Sequence, residues 1–409
     1  MDIREEALKA HKEHQGKLQV SSKMPLKNMH DLSIAYTPGV AEPCREIKQN
    51  KELSFEYTCR GNMIAVISDG TRVLGLGDIG PEAAMPVMEG KSVIYKTFAD
   101  VDAVPICLGT KDPAKIIATI KLLEPSFAGI NLEDFSSPKC YDIEDSLKKE
   151  MDIPVFHDDQ HGTAIAALAG VLGALRFVKK DLANTSIVVN GAGAAGTAIG
   201  RILVNAGARN ITMVDIGGAL YDGMPGLNRV QAALAKDTNK NKRQGTLAEI
   251  AAGADVLIGV SAPGVFTGGI IGSLAKDSIV IAMANPVPEV YYADAKAAGA
   301  KVAGTGRSDA PNQVNNSSVF PGLFRGALDV RARQINEEMK LAAAYAIANI
   351  IPADELSEDY VVPNVFNPLV APAVAAAVAR AAMATGVARI TVDPETVRAK
   401  TAARVKLGQ

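Results

Sequence analysis

The stretch Ile187-Val-Val-Asn-Gly-Ala-Gly-Ala-Ala-Gly196 constrains this chain more than any other. Ile187 to Val189 is a β-branched run of the kind that forms a buried strand. It leads into Gly191, Gly193 and Gly196 at G-x-G-x-x-G spacing, and Thr197 to Ala206 then carries Ile199, Ile202 and Leu203 at helical intervals. A second strand, Asn210-Ile-Thr-Met-Val-Asp215, follows and ends in an acid. This is the full context of a dinucleotide-binding unit. The first glycine permits a tight turn, the second lets backbone approach a pyrophosphate, and the third lets helix and strand pack closely. The helix N-terminus offers unpaired N–H groups to the anion. Gly191, Gly193, Ala194, Ala195 and Gly196 are the expected cofactor loop. Asp215, 19 residues beyond Gly196, is placed to bind the adenosine ribose hydroxyls.

The alternation continues downstream. Asp255 to Val260 reads as a third strand ending in Ser261-Ala-Pro-Gly264, Ser278 to Met283 as a fourth ending in Ala284-Asn-Pro286, and Lys301 to Gly304 as a fifth. A doubly wound sheet aims such strand ends at one crevice, which makes Ser261 and Asn285 further cofactor candidates. The N-terminal part is α/β as well. Asn62 to Ser68 and Arg72 to Leu76 read as a β-hairpin turning at Asp69-Gly70. Strands over Asp102 to Leu108 and Phe127 to Leu132 flank a helix over Pro113 to Leu123, and Ile153 to His157 is a further strand, followed by an Ala/Leu-rich helix over Thr163 to Phe177. The expected architecture is an N-terminal α/β substrate and metal domain (1–160), a Rossmann-type doubly wound nucleotide-binding domain (161–325), and C-terminal helices (326–409) packing back across both. At 409 residues, two or three domains are the natural expectation.

Composition narrows the function classes. A net charge of −2 gives no basic excess for nucleic acid or an anionic membrane. Cys44, Cys59, Cys107 and Cys140 have no C-x-x-C spacing, and the charged N-terminus lacks an apolar signal region, so free thiols in the cytoplasm are expected. Leu369 to Ala384 is the most apolar run. It contains Pro372 and Arg380, is short for a bilayer span, and reads as a buried Ala-rich helix.

Several residues outside the fingerprint carry potential chemistry. Gly75-Leu-Gly-Asp-Ile-Gly80 repeats the glycine spacing, but Pro81 follows at once and Pro86 interrupts the helix that would bind a phosphate, so a glycine-rich substrate-side loop is the better reading. Lys91 follows Gly90 and precedes Val93 and Ile94, a position less solvated than a charge run. In a desolvated site beside a cation its pKa would fall, as a lysine base requires. Glu133-Asp134 and Asp158-Asp159 sit at strand ends. Glu133, Asp134 and Asp159 supply hard oxygen ligands suited to Mg²⁺ or Mn²⁺, although a helix cap by Asp158 or Asp159 and a solvated strand end fit the local sequence equally. In such an acid-rich site His157 and His161 are neighbours rather than ligands. Arg72 is a candidate carboxylate clamp or a solvated strand charge. Tyr36, directly before Pro38-Gly39, has the position of a packing residue. Asn312 to Ser318 is a dense amide cluster or a polar turn, and Lys240 to Arg243 a solvated basic loop.

Tyr36-Thr-Pro-Gly-Val40, Asp69-Gly-Thr-Arg-Val-Leu-Gly-Leu-Gly-Asp78, Gly90-Lys91, Leu132-Glu-Asp-Phe135, Asp158-Asp-Gln-His-Gly-Thr163, the fingerprint, Asn285-Pro286 and Asn315-Asn316 occur in one order along nearly the whole chain. In this the chain resembles a bacterial short-form malic enzyme. The resemblance implies oxidative decarboxylation of (S)-malate to pyruvate and CO₂ with NAD as cofactor, NADP being possible, and with Mg²⁺ or Mn²⁺. It implies Lys91 as general base, Tyr36 as general acid, and Glu133, Asp134 and Asp159 as metal ligands. Arg72, Asn285, Asn315 and Asn316 are implied near malate. It also implies a homodimer and no phosphotransacetylase-like extension. The competing readings are a malolactic enzyme, which retains its NADH and gives lactate, and a non-catalytic dinucleotide sensor, which would have no need of the carboxylates.

Overall fold

A computed structural model describes residues 3–405. The chain starts with four short helices, α1 (Ile3–His14), α2 (Met29–Ala35), α3 (Ala41–Gln49) and α4 (Ser54–Tyr57), none of which contains a buried residue. An alternating unit follows: β1 (Met63–Ser68), α5 (Pro81–Ala99), β2 (Asp102–Cys107), α6 (Pro113–Leu123), β3 (Gly129–Leu132), α7 (Lys139–Glu150) and β4 (Val155–His157). Its strands form a parallel sheet in the order β2-β1-β3-β4.

Two expectations fail here. The hairpin over Asn62 to Leu76 does not form. Ile64 to Ile67 are fully buried, so β1 is a central strand with partners on both edges, the setting of a continuous apolar run in a parallel sheet. Arg72 to Leu76 is a loop, tied by a single bridge between Val73 and Gly77. It folds back so that Ile79 and Gly80 donate to the Gly70 carbonyl, and then feeds α5. Pro86 also fails to interrupt α5, which runs for 19 residues through it. The lost N–H is offset by a buried stripe at helical spacing, Ala84, Met88, Lys91, Ser92, Tyr95 and Ala99.

The second unit contains β5 (Ser186–Asn190), α9 (Ala194–Asn205), β6 (Asn210–Asp215), β7 (Gly218–Ala219), α10 (Arg229–Ala235), α11 (Leu247–Ala251), β8 (Val256–Gly259), α12 (Gly268–Gly272), β9 (Ile279–Ala282), α13 (Tyr292–Ala297) and β10 (Val302–Thr305). The sheet order is β10-β9-β8-β5-β6-β7, parallel except for the antiparallel edge strand β7. The chain leaves β5 toward β6 on one side and returns to β8 on the other, so the fingerprint loop lies at the point where winding reverses. Doubly wound sheets bind ligands at that point.

Between the units runs α8 (Asp158–Val178), which packs against α9. It is long and apolar enough to cross a membrane, yet 67% of that apolar window is buried inside the fold, as a core helix requires. The remaining helices are α14 (Phe320–Asp329), α15 (Glu337–Ala348), α16 (Val370–Ala384) and α17 (Pro394–Arg404). The Ala-rich run expected to be buried is α16, packed on α14, α15 and α17. Phe320 and Phe324 of α14 lie against Tyr95 of α5, with ring centroids 4.5 and 5.5 Å apart, so α14 covers the first sheet.

Candidate active site

Two strand ends and one helix face converge on Lys91. Its α5 position turns it inward, where it is 8% exposed. Its Nζ lies 2.6 Å from Asp158 Oδ2 and 2.9 Å from Glu133 Oε1, and 4.2 Å from the centroid of the Phe320 ring. Burial pushes the Lys91 pKa down, but Asp158 and then Glu133 outweigh it and hold the group as an ammonium, above the ordinary lysine range. The lowered pKa expected beside a cation is therefore not the state shown, because two carboxylates occupy the positions around the amine.

Glu133 and Asp134 follow β3. Asp158 and Asp159 do not cap α8 but lie inside its first turn, with His157 at the cap position. Gly162, one turn along, leaves room for Asp158: a Cβ there would stand 1.9 Å from Asp158 Oδ1. One ligand oxygen from each of Glu133, Asp134 and Asp159 falls within 4.8 Å of the others, a spacing that could hold a metal ion. Three further observations fit a cation. Asp134 Oδ2 is buried with no hydrogen-bond partner. Asp134 takes the left-handed backbone conformation at φ +59°, a strain that persists where surrounding structure enforces it. Burial, and then the crowding of acids, pushes Asp134 up to about 9, while burial, only partly offset by Lys91, pushes Glu133 up to about 8. Clustered oxygens that resist ionising even with the Lys91 ammonium among them are what a hard cation relieves.

Asn131 and Tyr95, which the motif reading did not single out, complete this centre beside His157 and His161, which it expected as neighbours. Asn131 donates to Glu133 Oε2 (2.9 Å) and accepts from the Tyr95 hydroxyl (2.9 Å), so that with Lys91 on Oε1 both oxygens of Glu133 are held. A buried Asn two residues before a strand-end acid was the only available signal. His157 Nε2 stands 3.2 Å from Asp159 Oδ2, and His161 Nε2 stands 2.9 Å from Glu144.

The substrate candidates are placed as follows. Arg72 has an exposed side chain, and its backbone N–H donates to the Asp134 carbonyl (3.0 Å). Gly75 of the same loop packs so closely on the Asn285-Pro286 segment that a Cβ would lie 2.8 Å from Pro286 Cδ, which brings the two units together at this point. Asn285 is exposed at the end of β9, its amide 3.3 Å from the Met283 carbonyl. Asn315 donates to the Gly306 carbonyl (3.3 Å) and accepts from Ser317 N. Asn316 lies against the first turn of α8, its Cβ 3.1 Å from where a Gly162 Cβ would be. Tyr36 departs from its expected packing role. It is 66% exposed at the end of α2, with its backbone bonded to Leu32 and Val40. Among the described residues no hydrogen bond joins it to Lys91.

The nucleotide loop has the geometry its glycines require. Gly191 sits at φ +104°. A Cβ on Gly196 would stand 1.7 Å from the Gly191 carbonyl, whereas one on Gly193 would meet nothing within 4 Å, leaving that face of the loop open. Asp215, at the end of β6, accepts from Ile216 N (2.9 Å) and borders a cavity of about 700 Å³, also lined by Ser261, Gly217, Thr246, Val265 and Ile270. Among the described residues no lysine or arginine lines it. Lys240 and Arg243 line a separate hollow with Ser186 and Asn210, the first residues of β5 and β6, at the N-terminal ends of those strands, and Arg243 also donates to the Glu249 carbonyl (3.4 Å). Ser261 Oγ accepts from Asn190 (2.7 Å). Glu289, fully buried, accepts from Ser261 N (2.6 Å) and Ala284 N (3.0 Å), joining the loops after β8 and β9.

A reversing parallel sheet with an open glycine loop, beside a lysine embedded in strand-end carboxylates, defines a dinucleotide-dependent oxidoreductase. Residues 15–115 match the family described as malic enzyme, N-terminal domain, and residues 160–383 match malic enzyme, NAD binding domain. A bifunctional malic/malolactic enzyme of Bacillus subtilis is 57% identical over the full length of both chains. An NAD-dependent malic enzyme of Geobacillus stearothermophilus is 54% identical over 91% of this chain and 78% of its own. The crystal structure of malic enzyme from Pyrococcus horikoshii superposes with a TM-score of 0.95 at 47% identity, covering 98% of this chain and 96% of that one. The chain belongs to the malic enzyme family.

Proposed function

We propose that this protein carries out the metal-dependent oxidative decarboxylation of (S)-malate to pyruvate and CO₂, reducing NAD. The observation that carries the reading is Lys91, buried and paired with acids at the strand ends that also form the cation-ready cluster. Lys91 removes the C2 hydroxyl proton as hydride passes to the nicotinamide. A divalent cation held by Glu133, Asp134 and Asp159 supplies Lewis-acid polarisation of the C2 oxygen. With a cation bound there, Glu133 would share its charge with it and compensate Lys91 less, which would favour the neutral amine that a base needs. Arg72 clamps a malate carboxylate through a planar two-pronged contact, and Asn285, Asn315 and Asn316 hydrogen-bond the substrate. In the resulting oxaloacetate the C3–C4 bond breaks, CO₂ leaves and the electron pair stays on the C2–C3 enolate, and Tyr36 returns a proton to C3 of enolpyruvate.

The defining experiment incubates pure protein with malate, Mn²⁺ and either nucleotide, following nicotinamide absorbance and product together. Reduced nicotinamide in step with pyruvate supports this reading. Lactate without net reduction supports the malolactic one, which the bifunctional Bacillus subtilis relative keeps in view. Tyr36→Phe should slow solvent exchange of the pyruvate methyl protons more than hydride transfer. Unchanged exchange would remove Tyr36 from the acid role.

Preference for NAD rests on Asp215 and its surroundings. The 2′-phosphate of NADP would bring about two negative charges against this carboxylate, and like-charge contacts can cost several kcal/mol. Lys240 and Arg243 line a hollow at the N-terminal ends of β5 and β6, whereas Asp215 ends β6. Asp215→Ser with Ile216→Arg should move the kcat/KM ratio toward NADP by at least about tenfold, or roughly 1.4 kcal/mol. A wild-type enzyme that favours NADP would refute the assignment.

The protein is read as a cytoplasmic homodimer. Four free cysteines support the compartment. The exposed apolar residues Ile3, Leu8, Val20, Leu26, Met29 and Ile34 form the kind of N-terminal surface that association covers. Sedimentation should give a dimer mass.

A further inference from the structure

Behind the carboxylate cluster lies a chain of buried side chains that the mechanism above does not use. It starts at Glu144 on α7, whose carboxylate is paired with Lys148 at 2.6 Å. Glu144 Oε2 lies 3.0 Å from Gln160 Nε2, and the same nitrogen lies 2.8 Å from His157 Nδ1. His157 is fully buried, with its other nitrogen 3.2 Å from Asp159 Oδ2, within ion-pair distance but not aligned as a hydrogen bond.

The order of these contacts determines where the proton sits. A carboxylate only accepts, so the Gln160 atom facing Glu144 is the amide nitrogen. That nitrogen has two hydrogens, one for Glu144 and one for His157 Nδ1. His157 Nδ1 is therefore an acceptor, and the ring proton is on Nε2, facing Asp159. Asp159 Oδ2 also accepts the Asp134 backbone N–H at 2.7 Å. Oδ2 is thus held by one hydrogen bond, from Asp134, and by the polar contact with His157, and Oδ1 remains for a ligand.

We infer that His157 is a positioning residue for the cation site: held in one tautomer by Gln160 and Glu144, it orients the Asp159 carboxylate. The inference rests on the reading that Glu133, Asp134 and Asp159 bind a divalent cation. His157 does not touch the cation. It adds a second hold on the Asp159 carboxylate, whose side chain is 34% exposed and otherwise anchored through the Asp134 N–H alone. Partners of this kind are typically worth 10- to 100-fold in metal affinity.

The test measures free Mn²⁺ by electron paramagnetic resonance in titrations of the full-length protein, with NAD affinity and thermal melting followed in parallel. His157→Leu keeps the volume without a donor and should raise the Mn²⁺ dissociation constant about 10- to 100-fold, with NAD affinity unchanged. His157→Gln, which can still donate, should recover part of the loss. Gln160→Leu frees the tautomer while leaving His157 in place and should weaken Mn²⁺ severalfold. It carries the test if His157→Leu fails to fold. Mn²⁺ affinity within twofold of wild type in folded His157→Leu or Gln160→Leu, while Asp134→Asn loses binding, would overturn the inference and leave the cation site standing. No Mn²⁺ binding by the wild type would overturn both.

Discussion

Lys91→Ala should lower kcat for malate oxidation by roughly 10²- to 10⁴-fold, the range for a positioned general base. NAD binding should change little, because the nucleotide loop belongs to the other sheet. The variant also strips the compensating charge from Asp158 and Glu133. Removing one partner of a buried ion pair costs up to about 3–5 kcal/mol, an effect lessened where the stranded acids take up protons. Melting temperature and NAD affinity separate the two effects. Added small primary amines offer a sharper criterion. They should restore part of the activity of Lys91→Ala if the amine acts as a base, and none if Lys91 only holds the acids together. Activity within tenfold of wild type in a folded Lys91→Ala would remove it from the base role.

Stripping the divalent cation should abolish turnover altogether, and Mg²⁺ or Mn²⁺ should restore it. Asp159→Ala should weaken Mn²⁺ by at least about 100-fold, more than loss of an outer partner, and leave NAD binding nearly intact. The pH dependence has a definite sign. Glu133 and Asp134 titrate at about 8 and about 9 in the folded protein without cation, against ordinary values of 4.5 and 3.8. Between those limits the folded state holds more protons than the unfolded one, so metal-free stability falls as pH rises across that window. A cation must displace these protons, so Mn²⁺ affinity should rise with pH toward 9, and binding at pH 7 should release protons measurable by calorimetry in buffers of different ionisation heat. A melting temperature that climbs from pH 6 to 9 in chelated protein would contradict the assignment. So would full turnover in chelator with metal content confirmed at zero.

The nucleotide unit is legible in the sequence because its determinants are local. Gly191, Gly193 and Gly196 fall within six residues, and the strands they join are apolar runs with acids or amides at their ends. Lys91 is legible as a less solvated lysine because its neighbours in sequence are apolar. Its actual environment is not, because Asp158 lies 67 residues away and is brought there by parallel pairing of β3 with β4. The same holds for Asn131 and His157, whose partners are fixed by the sheet and by α7. The missed hairpin has a similar origin. Asp69-Gly70 is a turn signal, but the burial of Ile64 to Ile67 on both faces favours parallel neighbours recruited from residues 102–107 and 129–132. Tyr36 fails in the opposite direction: a Pro-Gly turn fixes backbone and says nothing about whether the ring is covered.

Glu289 has a consequence for how readily a nucleotide is accommodated. A single buried carboxylate receives the backbone N–H groups of Ser261 and Ala284, so the segments following β8 and β9 share one anchor. Freezing a mobile residue costs about 1–2 kcal/mol of backbone entropy, and a site whose walls must be ordered by the ligand loses that much affinity per residue. Here the ordering at these two backbone positions is completed when the chain folds. An arriving dinucleotide meets walls already at rest, and the free energy of its contacts with them goes into binding.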